Sequence, residues 1–259
     1  MLERALFMQD DVQRVKSGIK GLDDCLKGGF VKGSVIEVAG SEGTFKSSLG
    51  LQFAVQGVRD NEKVVYLSFE EPKDSFRINA KTHGWENEFN RIEFKEIDLD
   101  EFFEEFKSRT VTGGEFTDVL ATRILSEIGT ADRVVIDTVT TLALFATRTT
   151  LRYRGENEWT YLAPSNADTR AMFYYIIGKL RSKKSTSLLL AEAGEGDLYV
   201  SEEILKYVSD TKIELKRSTL GAEASRTIII HKSRHTEHPL DGQIIKMGDG
   251  GLEVVPLDS

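Results

Sequence analysis

The stretch Val35-Ile36-Glu37-Val38-Ala39-Gly40-Ser41-Glu42-Gly43-Thr44-Phe45-Lys46-Ser47-Ser48 governs the reading of the whole chain. Val35–Val38 is an apolar, β-branched run, and a stretch of helical composition, Lys46–Arg59, follows the loop. Strand, glycine-bearing loop, Lys-Ser and helix are, in that order, what a phosphate cradle needs. Glycines let backbone N–H groups turn inward, and the helix N-terminus adds a positive field. In such a cradle Gly40, Ser41, Glu42, Gly43, Thr44, Phe45, Lys46, Ser47 and Ser48 surround the phosphates. Lys46 would neutralise the β- and γ-phosphates, and the Ser47 hydroxyl would ligate Mg²⁺. The spacing is Gly-x4-x-Lys-Ser, so Phe45 stands where the phosphate-loop pattern has glycine. Either Phe45 keeps an ordinary φ with its ring turned away from the phosphates, or it narrows the cradle. The bland alternative is a glycine-rich turn that binds nothing.

Outward from this stretch, further continuous apolar runs recur at Val64–Phe69, Ile92–Ile97, Val134–Ile136, Leu188–Leu190, Ile213–Leu215 and Thr227–Ile230. Continuous rather than alternating apolarity marks strands covered on both faces. Helix-length stretches separate them at Lys73–Thr82, Phe116–Ile128 and Asn166–Lys184. The order predicts an α/β fold: a doubly wound, mostly parallel sheet flanked by helices, its first five strands forming the parallel core. From about Thr211 the strands follow one another through short polar connections, which predicts antiparallel strands at the C-terminal edge. The 259 residues suit one domain, with residues 1–13 as a lead-in and the polar segment Thr147–Arg170 as an insertion loop.

Two other runs deliver carboxylates to the strand ends where ligands sit in parallel sheets. Val134-Val135-Ile136 ends in Asp137, placed to hold Mg²⁺ with Ser47, usually through water. Taken alone it would as readily open a turn. Val64–Phe69 ends in Glu70-Glu71-Pro72. Adjacent carboxylates at a buried edge need a cation or a proton to offset them, which suggests a water-activating base. Acids in the first turn of a helix near Pro72 are equally sound physically.

Taken together, these residues resemble a family. The segment Arg14–Phe30, with its Gly21-Leu22-Asp23-x-x-Leu26-x-Gly28-Gly29 core, precedes the loop; Phe69-Glu70-Glu71-Pro72 and Val135-Ile136-Asp137-Thr138 follow it. Their order is similar to the KaiC-like branch of the RecA-type P-loop ATPases over about Arg14 to Val255. The resemblance implies a RecA-like core, ATP and Mg²⁺ binding, slow hydrolysis, and a homo-oligomeric hexameric ring or filament with nucleotide between subunits. It also implies that Lys232 and Arg234 form the family's Lys-x-Arg element, reaching the phosphate bound by the adjacent subunit, where a cation stabilises transition-state charge. Without that context they read as a solvated basic turn. Glu192, ending the Leu188–Ala191 run, falls near the family's phosphate-sensing region. Clock-type members autophosphorylate a Ser/Thr pair where this chain has Lys206 and Tyr207, so that activity is not expected here. Those members also carry two tandem ATPase domains, against one in this chain.

Composition narrows the alternatives. With 40% hydrophobic and 29% charged residues the chain is globular, and 34 basic against 42 acidic side chains give −8, which excludes a chain devoted to neutralising duplex phosphates. No run approaches the length of a membrane span, and the single Cys25 suits a reducing, cytoplasmic interior. His83, His231, His235 and His238 lack the convergence of a metal site. Phe102, Phe103 and Phe106 have the spacing of a helix facing the core. Arg148, Arg152, Arg154 and Arg170 with Tyr153, Trp159 and Tyr161 admit a DNA partner, a recombinase-like reading. Their near balance by acids favours subunit contact instead. The other rival is a degenerate loop on a scaffold or regulatory module that does not hydrolyse ATP.

Overall fold

The computed structural model describes residues 12–106, 113–148, 151–154, 159–162, 166–194, 200–220 and 223–255. In chain order they form β1 (Arg14–Val15), α1 (Leu22–Cys25), β2 (Phe30–Val31), β3 (Val35–Gly40), α2 (Lys46–Arg59), β4 (Val64–Ser68), α3 (Lys73–Thr82) and α4 (Glu86–Phe89). Then come β5 (Glu93–Glu96), α5 (Leu99–Phe106), α6 (Gly113–Ile128), β6 (Arg133–Asp137), α7 (Val139–Arg148), β7 (Leu151–Arg154), β8 (Trp159–Leu162) and α8 (Asn166–Ser182). The C-terminal part holds β9 (Thr186–Glu192), α9 (Val200–Val208), β10 (Thr211–Leu220), β11 (Glu223–Ser233), β12 (Gln243–Gly248) and β13 (Gly251–Val255).

Nine of these strands make one sheet in the order β13-β12-β11-β10-β3-β9-β6-β4-β5. From β10 to β5 neighbours pair in parallel, and from β10 to β13 they pair antiparallel. The sheet is therefore the mostly parallel, helix-flanked architecture with antiparallel C-terminal strands that the sequence predicts. One strand has a wider role than expected. Besides opening the antiparallel edge, β10 pairs in parallel with β3, because α9 supplies the crossover that a parallel partner needs.

Continuous apolarity has the predicted cause. β3, β4 and β6 are buried at every position, and successive side chains feed two different cores. Val64 and Tyr66 of β4 join Ile36 and Val38 in the core under α2 and α3. Val65 and Leu67 join Val35 and Ala39 in the core under α6, α7 and α8. Phe102 is buried in that second core; the side chains of Phe103 and Phe106 lie outside the described residues. Within the polar segment at 147–170 the chain forms the β7–β8 hairpin and enters α8.

Helix α2 lies close on the sheet because Gly57 leaves room for a guanidinium: a Cβ there would come within 2.7 Å of Arg133 Cδ and Nε. Arg133 is wholly buried, and it donates to Glu62 (2.5 Å) and to the carbonyls of Lys16 and Phe53 (both 2.9 Å). Its charge is thus met on every side, which is what a buried cation requires. Among the described residues no helix is long and apolar enough to cross a membrane.

Candidate active site

The register of the parallel strands decides what meets the loop. Gly40 ends β3 level with Glu192 of β9 and Leu215 of β10, and Ser68 of β4 ends level with Asp137 of β6. The loop, Asp137, Glu192 and the Glu70-Glu71 turn therefore share the C-terminal edge of the sheet. The helix after β3 packs on one face and the helix after β6 on the other, which opens the crevice where such sheets bind ligands.

The loop is tightly wound. A Cβ on Gly40 would lie 2.6 Å from Thr44 Oγ1 and 2.8 Å from the Leu215 carbonyl, so no side chain fits. Thr44 Oγ1 donates to the Ser41 carbonyl at 2.7 Å, and Lys46 Nζ donates to the same carbonyl at 3.0 Å. Ser41, Glu42 and Gly43 are exposed at the rim, whereas Ser47 and Ser48 lie half-buried in the first turn of α2.

Phe45 does not keep the ordinary φ expected for it. Its φ is +77°, in the left-handed region that favours glycine. Its ring is half-buried against the core under α2, with the Arg226 guanidinium 4.1 Å from the ring centroid.

Asp137 is 5% exposed and accepts a 2.6 Å hydrogen bond from the Tyr66 hydroxyl. Burial pushes its carboxyl up to about 6, against the lowering effect of hydrogen bonds from Tyr66 and Ser47. Burial likewise lowers the Lys46 ammonium, opposed by the carboxylates of Glu192, Asp137, Glu70 and Glu42. A desolvated carboxylate bonded to a serine hydroxyl, beside a desolvated lysine, is an oxygen-donor set that fits Mg²⁺ and a polyphosphate.

Glu70 and Glu71 are exposed rather than buried, a correction to the expected edge. Glu70 is nevertheless fixed: its Oε1 accepts from Thr138 Oγ1 at 3.1 Å and from Thr141 Oγ1. Thr138 Oγ1 also accepts from the Thr141 N–H (3.2 Å), capping the start of α7. Glu71 is held through its backbone, its carbonyl accepting from Ser68 Oγ at 2.6 Å. The Glu192 N–H donates to Thr140 Oγ1 at 2.8 Å, so α7 and β9 are joined beside Gly40. Tyr66, Thr138, Thr140 and Thr141 carry much of this geometry, and none of them is assigned a role in the sequence reading. The Thr-rich run after Asp137 is an N-cap signature that marks the three threonines; nothing in the sequence marks Tyr66.

Lys232 and Arg234 are not brought to this crevice. Lys232 is level with Lys212 and so with Glu37, and Arg234 lies beyond the level of Ile36. That places Arg234 roughly 15 Å from Gly40 along the strand direction. Lys232 Nζ donates to the Lys206 carbonyl at 2.9 Å, and Arg234 Nη1 to Asp210 at 3.1 Å.

The chain matches the sequence family of the KaiC ATPase over residues 15–156 and 159–259. It belongs to the KaiC ATPase family. With the phosphate loop at the crevice, it is an ATP-binding, RecA-type P-loop ATPase by family. It is 28% identical over 247 residues to the circadian clock protein KaiC2 of Synechocystis, covering 94% of this chain but only 40% of that relative. It is 29% identical to a UPF0273 protein of Aeropyrum pernix, covering 95% of this chain and 94% of that protein. A solved KaiC-like protein of Pyrococcus horikoshii superposes with a TM-score of 0.69 at 25% identity, over 95% of this chain and all of that one. The RecA-like fold of the KaiC branch is thus present across nearly the whole chain.

Proposed function

We propose that the chain is a single-domain ATPase that slowly hydrolyses Mg²⁺-bound ATP and works as a homo-oligomer with nucleotide at the subunit interfaces. The observation that carries this reading is the juxtaposition of Lys46, Ser47 and Asp137, a buried acid and a buried base at one crevice. In it the Gly40–Ser48 loop binds phosphates through backbone N–H groups, and Lys46 offsets their charge. Ser47 and Asp137 hold Mg²⁺, which when bound draws electron density from the phosphoryl oxygens. Glu70, fixed at the start of α7, orients water and accepts its proton, with Glu71 adding negative charge nearby. Lys232 and Arg234 serve the neighbouring subunit, because the strand register carries them away from their own loop.

Isothermal calorimetry with Mg²⁺ is the test. The unsubstituted chain binds ATP, and Lys46→Ala weakens binding at least tenfold, on the order expected for removing a charge-assisted contact. Unchanged affinity removes Lys46 from the site. The rival reading, a nucleotide-bound regulatory module without hydrolysis, is motivated by Phe45. Single-turnover phosphate release separates the two: release that Glu70→Gln slows at least a hundredfold is hydrolysis, and release absent from the unsubstituted chain is not.

A further inference from the structure

We infer that Arg226 is a positioning residue for the phosphate loop, holding Phe45 in the backbone conformation that glycine supplies elsewhere. The inference rests on the nucleotide reading above and concerns how this loop keeps its shape. Two consecutive odd positions of the loop have positive φ: Gly43 at +72° and Phe45 at +77°. Only glycine adopts that conformation without steric cost, so Phe45 needs an external constraint. One side chain touches both residues. Arg226 Nε donates to the Gly43 carbonyl at 2.8 Å, and the same guanidinium lies 4.1 Å from the centre of the Phe45 ring.

The constraint comes from outside the loop's own β–α unit. Strand β10 pairs with β3 no further than Leu215 opposite Gly40, so the β10–β11 hairpin continues past the sheet edge. Arg226, paired with Arg217, sits on that overhang. Phe45 is therefore pinned between the core under α2 and a guanidinium. Holding the Gly43 carbonyl toward the hairpin also turns the Thr44 N–H of the same trans peptide away from it, since the two groups of a trans peptide oppose each other. A planar guanidinium can cover a ring and donate in its own plane at once. A lysine ammonium cannot do both.

The test compares Mg²⁺-ATP affinity by calorimetry, and amide hydrogen exchange of the nucleotide-free loop, in five proteins: the unsubstituted chain, Arg226→Ala, Arg226→Lys, Phe45→Gly and Phe45→Gly with Arg226→Ala. Arg226→Ala is expected to weaken ATP binding about thirtyfold, the low end for a lost charge-assisted bond with a lost cation–ring contact. It also speeds exchange at Thr44 and Lys46. Arg226→Lys behaves like the alanine variant, and in the Phe45→Gly background removing Arg226 costs no more than about threefold. Full recovery by lysine overturns the inference, because charge alone then suffices. Equal losses in the two backgrounds, or unchanged exchange, overturn it as well. Should Arg226→Ala not fold, Arg226→Lys in both backgrounds carries the same comparison. If the unsubstituted chain binds no ATP, the nucleotide reading falls and this inference with it. Normal binding that ignores Arg226 sinks this inference alone.

Discussion

Asp137 is pulled in opposite directions by folding and by cation binding. Burial raises its carboxyl from 3.8 to about 6, so folding without nucleotide favours the neutral acid over the charged one relative to the unfolded chain. A raised carboxyl contributes stability that is complete below the unfolded value and is lost as pH climbs through about 6. At pH 8 the charged Asp137 therefore costs the nucleotide-free protein about 2–3 kcal/mol, the free-energy equivalent of that shift. Asp137→Asn removes the charge while keeping a group that can accept from Tyr66. It should raise stability in urea at pH 8 by about 2 kcal/mol, and the gain should shrink toward zero by about pH 4. The same substitution should abolish the Mg²⁺ dependence of ATP binding. A variant no more stable than the parent at pH 8 contradicts the account. Phe45 poses the complementary problem. Its φ is invisible in the sequence, because a phenylalanine in a glycine position reads as a lost motif unless a distant residue such as Arg226 is known to steady it.

The C-terminus of α9 shows where local sequence signals stop. Three cations meet its last carbonyls: Lys232 on Lys206, Arg234 on Tyr207 at 3.4 Å, and Arg181 on Val208 at 2.5 Å. Cations at that end are favoured by the helix dipole. Asp210 binds the group together, accepting from Arg181 (2.8 Å), Arg234 (3.1 Å) and the Val35 N–H that opens β3 (2.9 Å). Asp210→Ala should lower stability by about 1–2 kcal/mol, since it leaves the Val35 N–H without its acceptor while two half-exposed guanidinium groups keep only their helix carbonyls, and a urea midpoint measures it. ATP affinity should persist, because the loop is at the other edge. The sequence makes β3, β4, β6 and β9 legible, since strands buried on both faces spell continuous apolar runs, and α2 and α3 legible through their length. It hides α7, whose Val139-Thr140-Thr141 start has poor intrinsic helix propensity. It hides α9 as well, because this helix is only nine residues long and has no continuous apolar run. The carboxylates at the strand ends are legible as residues, but their partners are not: Tyr66 meets Asp137 across 71 positions.

The placement of Lys232 and Arg234 has a consequence for assembly. Both are offset from Gly40 toward the other end of β3, Lys232 level with Glu37 and Arg234 beyond Ile36, so a monomer that used them on its own nucleotide would have to shift β10 and β11 against β3. A head-to-tail assembly avoids this by setting one subunit's β11 end against the next subunit's loop, and such heterologous contacts close into rings or run on as filaments. Subunit mixing tests the arrangement. Lys46→Ala subunits lack a working loop and keep Lys232 and Arg234; Lys232→Ala/Arg234→Ala subunits have the reverse defect. Each alone should release phosphate at background rate. After dissociation and joint reassembly at equal amounts, about a quarter of interfaces join an intact loop to an intact basic pair, so about a quarter of the parental rate should return. Thermal melts must first show both variants folded, because Arg234 is bound to Asp210. A mixture no faster than its components means that the basic pair does not act across the interface, and a double variant as fast as the parent means that it does not act on phosphate at all.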